Sequence, residues 1–113
     1  MEQEKFEKQF KLFVEKKRSS QNLSSEKKYM KDKVSRLRKL LNIFSLEQLL
    51  EVDEDQLLVL TDLLILHFSR ITPPRTSKDT RYKDYMVVLR LVYEMMNKGK
   101  SAPKYTHYAG RRV

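Results

Sequence analysis

The sequence predicts an all-α protein: a compact bundle of four main helices plus one short helix, followed by an irregular basic C-terminal tail. Three observations predict it. Apolar residues recur three and four apart over most of the chain. Side-chain capping pairs stand ahead of two of the apolar runs. No stretch alternates in the way a half-buried strand requires. The length of 113 residues suits one domain with one core.

The first helix spans roughly residues 3–17. Phe6, Phe10, Phe13 and Val14 share one face, and Glu4–Lys8 and Glu7–Lys11 stand four apart on the wet side. A polar connection with Ser19, Ser20, Gln21 and Asn22 follows. Ser24 or Ser25 can cap a second helix running to about Leu41, whose seam is Met30, Val34, Leu37 and Leu41. Asn42 suits its stop. Ser45 with Gln48 forms a capping box for a short helix over 45–50. Asp53 with Gln56 starts a fourth helix, roughly 54–69, and Glu54 and Asp55 suit the positive end of its dipole.

That fourth helix is apolar nearly all round. Leu57, Leu60, Leu64 and Phe68 line one side, Val59 and Leu66 the other, and a narrow stripe remains at Asp55 and Asp62. Such a helix is expected to run through the middle of the fold. Ser69–Asp79 contains Pro73-Pro74 and reads as a loop. A fifth helix is expected from about Thr80 to Asn97, with Tyr82, Tyr85, Leu89, Val92 and Met96 as its seam and Val87 and Leu91 pointing the other way, so that it is either sandwiched in the bundle or exposes apolar surface to a partner. Gly99 fits just past its end. The domain is therefore expected over 1–97, with a tail or linker over 98–113.

Charge is sorted along the chain. The net charge is +9, yet residues 43–68 hold six acids and no base, residues 24–42 hold seven bases against two acids, and residues 98–113 hold five bases and no acid. A basic chain built around one acidic, apolar stretch points to a face for polyanions and a separate part with other work. Nucleic acid leads as partner, and an anionic membrane surface comes second. Cysteine is absent, which excludes disulfides and thiolate metal sites. The polar start lacks the core of a signal peptide, and no apolar run is long enough to span a bilayer. A cytoplasmic protein is expected, with no membrane and no small-molecule substrate.

The second helix carries the strongest functional signal. Lys28, Lys31, Arg36 and Lys39 lie away from its apolar seam, and Lys27 and Arg38 flank it. A rigid cationic rod about 10–12 Å across matches the major groove of DNA and its bordering phosphates. The plain alternative is a solvated helix face. A second basic set comprises Arg75, Lys78, Arg81, Lys83 and Arg90. Lys83 and Arg90 are seven apart on one side of the fifth helix, although Arg90 can instead pair with Glu94. The tail interleaves Lys104, Tyr105, His107, Tyr108, Arg111 and Arg112, a pattern able to stack on bases or simply to remain an unstructured end.

Catalysis has little support, so the chain is not expected to act as an enzyme; any catalytic domain would lie outside it. His67 and His107 lack metal-ligand spacing, and His67 reads as a core-edge histidine. Asp53-Glu54-Asp55 lacks the glycine and terminal glutamate of a calcium loop. No glycine-rich phosphate loop exists. No metal and no cofactor are expected.

The order of these elements resembles the N-terminal core-binding (SAM-like) helical domain of tyrosine recombinases, the phage integrase family. That family opens with an aromatic helix ending in a phrase like "FLxYL", where this chain has Phe10-Lys11-Leu12-Phe13-Val14. A phrase of the type "gLSxxTixxYxxxLrxL" follows, met here by Leu23-Ser24, Tyr29-Met30-Lys31-Asp32-Lys33-Val34 and Leu37-Arg38-Lys39-Leu40. Val52-Asp53-Glu54-Asp55-Gln56-Leu57 stands at the next helix start. The last helix, "S/TxxTxxxylxxLRxfyxfl" in the family, is met by Ser77-Lys78-Asp79-Thr80-Arg81-Tyr82 and Tyr85–Met96. The likeness covers about residues 6–97; Lys28, Lys33 and the longer stretch 40–50 depart from the pattern. Similar helical DNA-binding domains also stand ahead of nuclease domains.

The resemblance implies half of a clamp on duplex DNA, with the second and last long helices facing the grooves, in an arm or accessory domain of a phage or mobile-element protein involved in DNA recombination. Lys27, Lys28, Lys31, Arg36 and Lys39, with Arg75, Lys78, Arg81, Lys83 and Arg90, are the expected DNA contacts. The rival expectation is a protein-interaction module, homodimeric or hetero-partner, such as a phage-encoded inhibitor of a host nucleic-acid enzyme. Its interface would be Leu66, Val87 and Leu91, with the acidic edge over 47–62 selecting the partner.

Overall fold

A computed structural model describes residues 2–18, 26–71 and 81–103. Five helices follow one another: α1 (Gln3–Arg18), α2 (Glu26–Ile43), α3 (Leu46–Leu50), α4 (Glu54–Ile71) and α5 (Arg81–Met96), with no strand among the described residues. The protein is a bundle of four main helices and one short one. The Ser24 or Ser25 cap and the Pro73-Pro74 loop lie outside the described residues.

The local chemistry places the helix starts. The Ser45 hydroxyl accepts the Gln48 N–H at 3.1 Å, and the Gln48 side chain accepts the Ser45 N–H at 2.8 Å, closing a capping box. Asp53 Oδ1 accepts the Gln56 N–H at 2.8 Å and starts α4. α4 continues through Ser69 and Arg70 to Ile71, two residues beyond its expected end. α5 closes in a Schellman turn: the Gly99 N–H reaches the Glu94 carbonyl at 2.7 Å, with Lys98 at φ 58° and Gly99 at φ 82°.

The core gathers Phe6, Phe10 and Val14 of α1, Leu37 and Leu40 of α2, Leu49 of α3, Leu57, Leu60 and Leu64 of α4, and Val88, Leu89, Val92 and Tyr93 of α5. α5 packs against every other helix, so it is the central element. The expectation that α4 runs through the middle is therefore corrected. α4 buries the Leu57/Leu60/Leu64 side, while Val59, Leu63 and Leu66 stay exposed. Its second apolar face looked like a buried one because hydropathy alone does not say what covers it.

Cross-contacts fix the directions. Glu7 of α1 meets Arg38 of α2, and further along α1 Lys11 and Glu15 share a groove with the earlier α2 residues Met30 and Lys31, so these two run antiparallel. Phe68 and Tyr85 stack with centroids 5.0 Å apart, which brings the end of α4 to the start of α5. At the other end of that pair, the Asn97 amide donates to the Val52 carbonyl at 3.0 Å. Residues 98–103 return onto α5: Arg90 donates to the Ala102 and Pro103 carbonyls, and Glu94 accepts the Ala102 N–H.

Candidate nucleic-acid interface

Turning α2 by 100° per residue aligns Lys28, Lys31, Ser35, Lys39 and Asn42 on one stripe opposite Val34, Leu37 and Leu40. All five stripe residues are exposed. At 1.5 Å per residue the stripe is about 21 Å long. Asp32, one turn from Lys28, borders it, and Lys28, Lys31 and Lys39 form no ion pair with a described residue.

The arginines of α2 behave differently. Arg38 donates through Nε and Nη2 to Glu7 Oε1 at 3.1 and 3.0 Å. Those two hydrogen bonds hold the Glu7 carboxyl below the usual glutamate range, against the opposing effect of its burial. Arg38 nevertheless keeps 60% of its side chain exposed. Arg36 is more enclosed and stands 3.8 Å from Asp84 of α5. Asp32, Arg36 and Asp84 share a small recess with Lys39 and Tyr85, so the α5 edge of the stripe carries mixed charge.

The α1 edge is more cationic. An open groove of about 700 Å³ lies between α1 and α2, floored by Met30 and Val34 and rimmed by Lys11, Lys31, Arg38 and the single acid Glu15. Lys11 thus joins the basic face. Glu7, four residues before it on α1, takes its hydrogen bonds from Arg38, and the Lys11 charge adds a smaller stabilisation of the Glu7 carboxylate. The available signal was the short α1–α2 connection, which makes the two helices antiparallel neighbours and sets Lys11 across from Lys31.

Of the second basic set, the side chains of Lys83 and Arg90 are described. Lys83 is exposed at the start of α5, one residue from the Asp84 that meets Arg36. Arg90 lies on the same strip of α5, yet its guanidinium is spent on two tail carbonyls. Those bonds are made within its own chain. Its alternative partner, Glu94, binds Lys17 of α1 instead. Arg75, Lys78 and the side chains of Lys27 and Arg81 lie outside the described residues, as does the tail from Lys104.

The expected partner interface also divides. Leu91 is 6% exposed and belongs to the core, because the central α5 is covered nearly all round. Val87 is exposed on the strip of α5 that carries Lys83, Arg90 and Glu94. Leu66 instead shares a register with Val59 and Leu63 on α4. His67 is half-buried and sets its ring edge-on to Phe68, a packing role. No described helix is long and apolar enough to cross a membrane. Among the described residues no group of three metal-ligating side chains comes together. Comparison with protein-family models, curated proteins and solved structures gave no match.

Proposed function

We propose that this chain binds double-stranded DNA through the outer face of α2, chiefly by its phosphates. The supporting observation is the exposed stripe of Lys28, Lys31 and Lys39 with Ser35 and Asn42, bordered on its α5 edge by Asp32 and Asp84. Three lysines on a rigid rod can follow a phosphate backbone, and the hydroxyl and amide between them add neutral donors of the kind that position a protein on a duplex. Lys11 and the exposed part of Arg38 extend the face towards α1. The stripe carries no aromatic side chain, which favours a duplex over stacked single strands. The element order resembles the core-binding arm of phage integrases, and an accessory role in a mobile-element protein accords with this face. Site choice in such an arm would come from a partner or another domain.

Titration of a duplex at several salt concentrations tests the reading. With about four phosphates engaged, log K against log salt should fall with a slope of roughly −3 to −4. Unrelated duplex sequences should bind alike. A slope near zero would end the proposal.

A further inference from the structure

We propose that the outer face of α4 is a self-association surface, on which a second copy of this chain packs its own α4 antiparallel about a two-fold axis beside Leu63. Val59, Leu63 and Leu66 are 50%, 43% and 43% exposed. Their spacing of four and three places them on one stripe of α4, opposite Leu57 and Leu64. Three of the five large apolar side chains exposed among the described residues therefore lie together, which isolated surface hydrophobes do not do. The helical register carries the same stripe back to Asp55 in the first turn and forward to Arg70 near the end of the helix. Asp55 is exposed and forms no ion pair with a described residue.

Self-complementarity selects the occupant. Counted from the midpoint between Asp62 and Leu63, Asp55 lies as far back as Arg70 lies forward, and Val59 as far back as Leu66. A two-fold axis through that midpoint sets Val59 of each copy against Leu66 of the other, with the two Leu63 side chains beside one another at the centre. The same operation brings Asp55 of each copy to Arg70 of the other, so an acid meets a base at both ends of the seam. A parallel copy would set acid against acid and base against base. Asp62 stands at the rim of the stripe, half-buried, and is already engaged within its own chain, so it needs no partner across the axis. A single seam of two helices lies at the small end of protein interfaces, so the dimer is weak and reversible.

Sedimentation of the full chain, without nucleic acid, is followed over a concentration series up to about 1 mM. The wild type should pass reversibly from monomer to dimer. Leu63→Lys sets two cations at the axis and should weaken the dimer roughly tenfold or more, with the helical circular dichroism unchanged. Asp55→Arg and Arg70→Asp should each weaken self-association roughly fivefold, because one substitution opposes like charges at both ends of the seam. An equimolar mixture of those two variants should regain the association of the wild type, since opposite charges then meet at both ends of the mixed dimer. A wild type that stays monomeric to the top of the series leaves the stripe to another protein and overturns the proposal. So does a dimer that Leu63→Lys leaves intact, or a mixture that associates no better than either variant alone. The wild-type series needs no variant, so a misfolded Leu63→Lys would not rescue it.

Discussion

The guanidinium of Arg90 grips the carbonyl of Pro103 at 2.6 Å while its second nitrogen holds Ala102 at 3.1 Å. One turn further along α5, Glu94 accepts the Ala102 N–H at 3.3 Å and also meets Lys17 of α1. The two side chains clamp the returning segment onto the central helix, and Ala102 packs against the core there.

Arg90→Ala should release that segment. Two charge-assisted bonds to carbonyls disappear in a half-buried setting, so a stability loss of about 1–3 kcal/mol is expected in urea unfolding. Protection of the Ala102 amide from hydrogen exchange should fall with it. Duplex affinity should change less than twofold, since the guanidinium is already occupied.

Helix positions were legible because the seams are strong and the caps are local. Phe6/Phe10/Val14 and Leu57/Leu60/Leu64 follow the 3.6-residue period, and Ser45–Gln48 and Asp53–Gln56 act across three residues. Which cations stay available was not legible. Arg38 finds Glu7 31 residues away, and Lys17 finds Glu94 77 residues away. A charge pattern along the chain cannot register such pairs. The two apolar faces of α5 allowed a helix sandwiched in the bundle, but did not decide between α4 and α5 as its centre. α4 is the more apolar helix, but α5 is the one its neighbours surround, with even Leu91 and Tyr93 covered.

Lys39 and Arg36 provide a contrast within one helix. Lys39 is exposed and forms no ion pair with a described residue, whereas Arg36 lies 3.8 Å from Asp84 with 29% of its side chain exposed. Lys39→Ala should weaken duplex binding about equally for every sequence and reduce the salt slope by roughly one unit. Arg36→Ala should shift the slope by much less. Equal slopes for Lys39→Ala and wild type would remove this end of α2 from the interface.

Lys98 adopts φ 58° at the end of α5, a left-handed conformation that side chains with a Cβ resist. Lys98→Gly keeps the Schellman turn and relieves that cost, so a gain of about 1 kcal/mol is expected from thermal or urea unfolding. Gly99→Ala should act in the opposite sense. A Cβ there meets no atom within 4 Å, so the loss would come from backbone conformation at φ 82° rather than from a clash. Lys98→Gly leaving stability unchanged or lower would show that the turn is held in place by contacts of the lysine itself.

Glu7 gives the fold an acid-sensitive joint between α1 and α2. The Arg38 bonds lower its pKa in the folded protein, and its side chain is only 14% exposed. An unfolded glutamate titrates at about 4.3. The folded protein therefore binds fewer protons than the unfolded chain in the window below that value. Stability from the pair is fully present above it and is lost as pH falls through the lower, folded pKa. Because Arg38 stays largely in water, the pair should contribute only about 0.5–1 kcal/mol. Glu7→Gln should lower stability by that amount at pH 7 and leave it nearly unchanged near pH 2. The acid limb of the unfolding curve should flatten accordingly. An acid limb identical to that of the wild type would mean that Arg38 contributes nothing to the docking of α1 on α2.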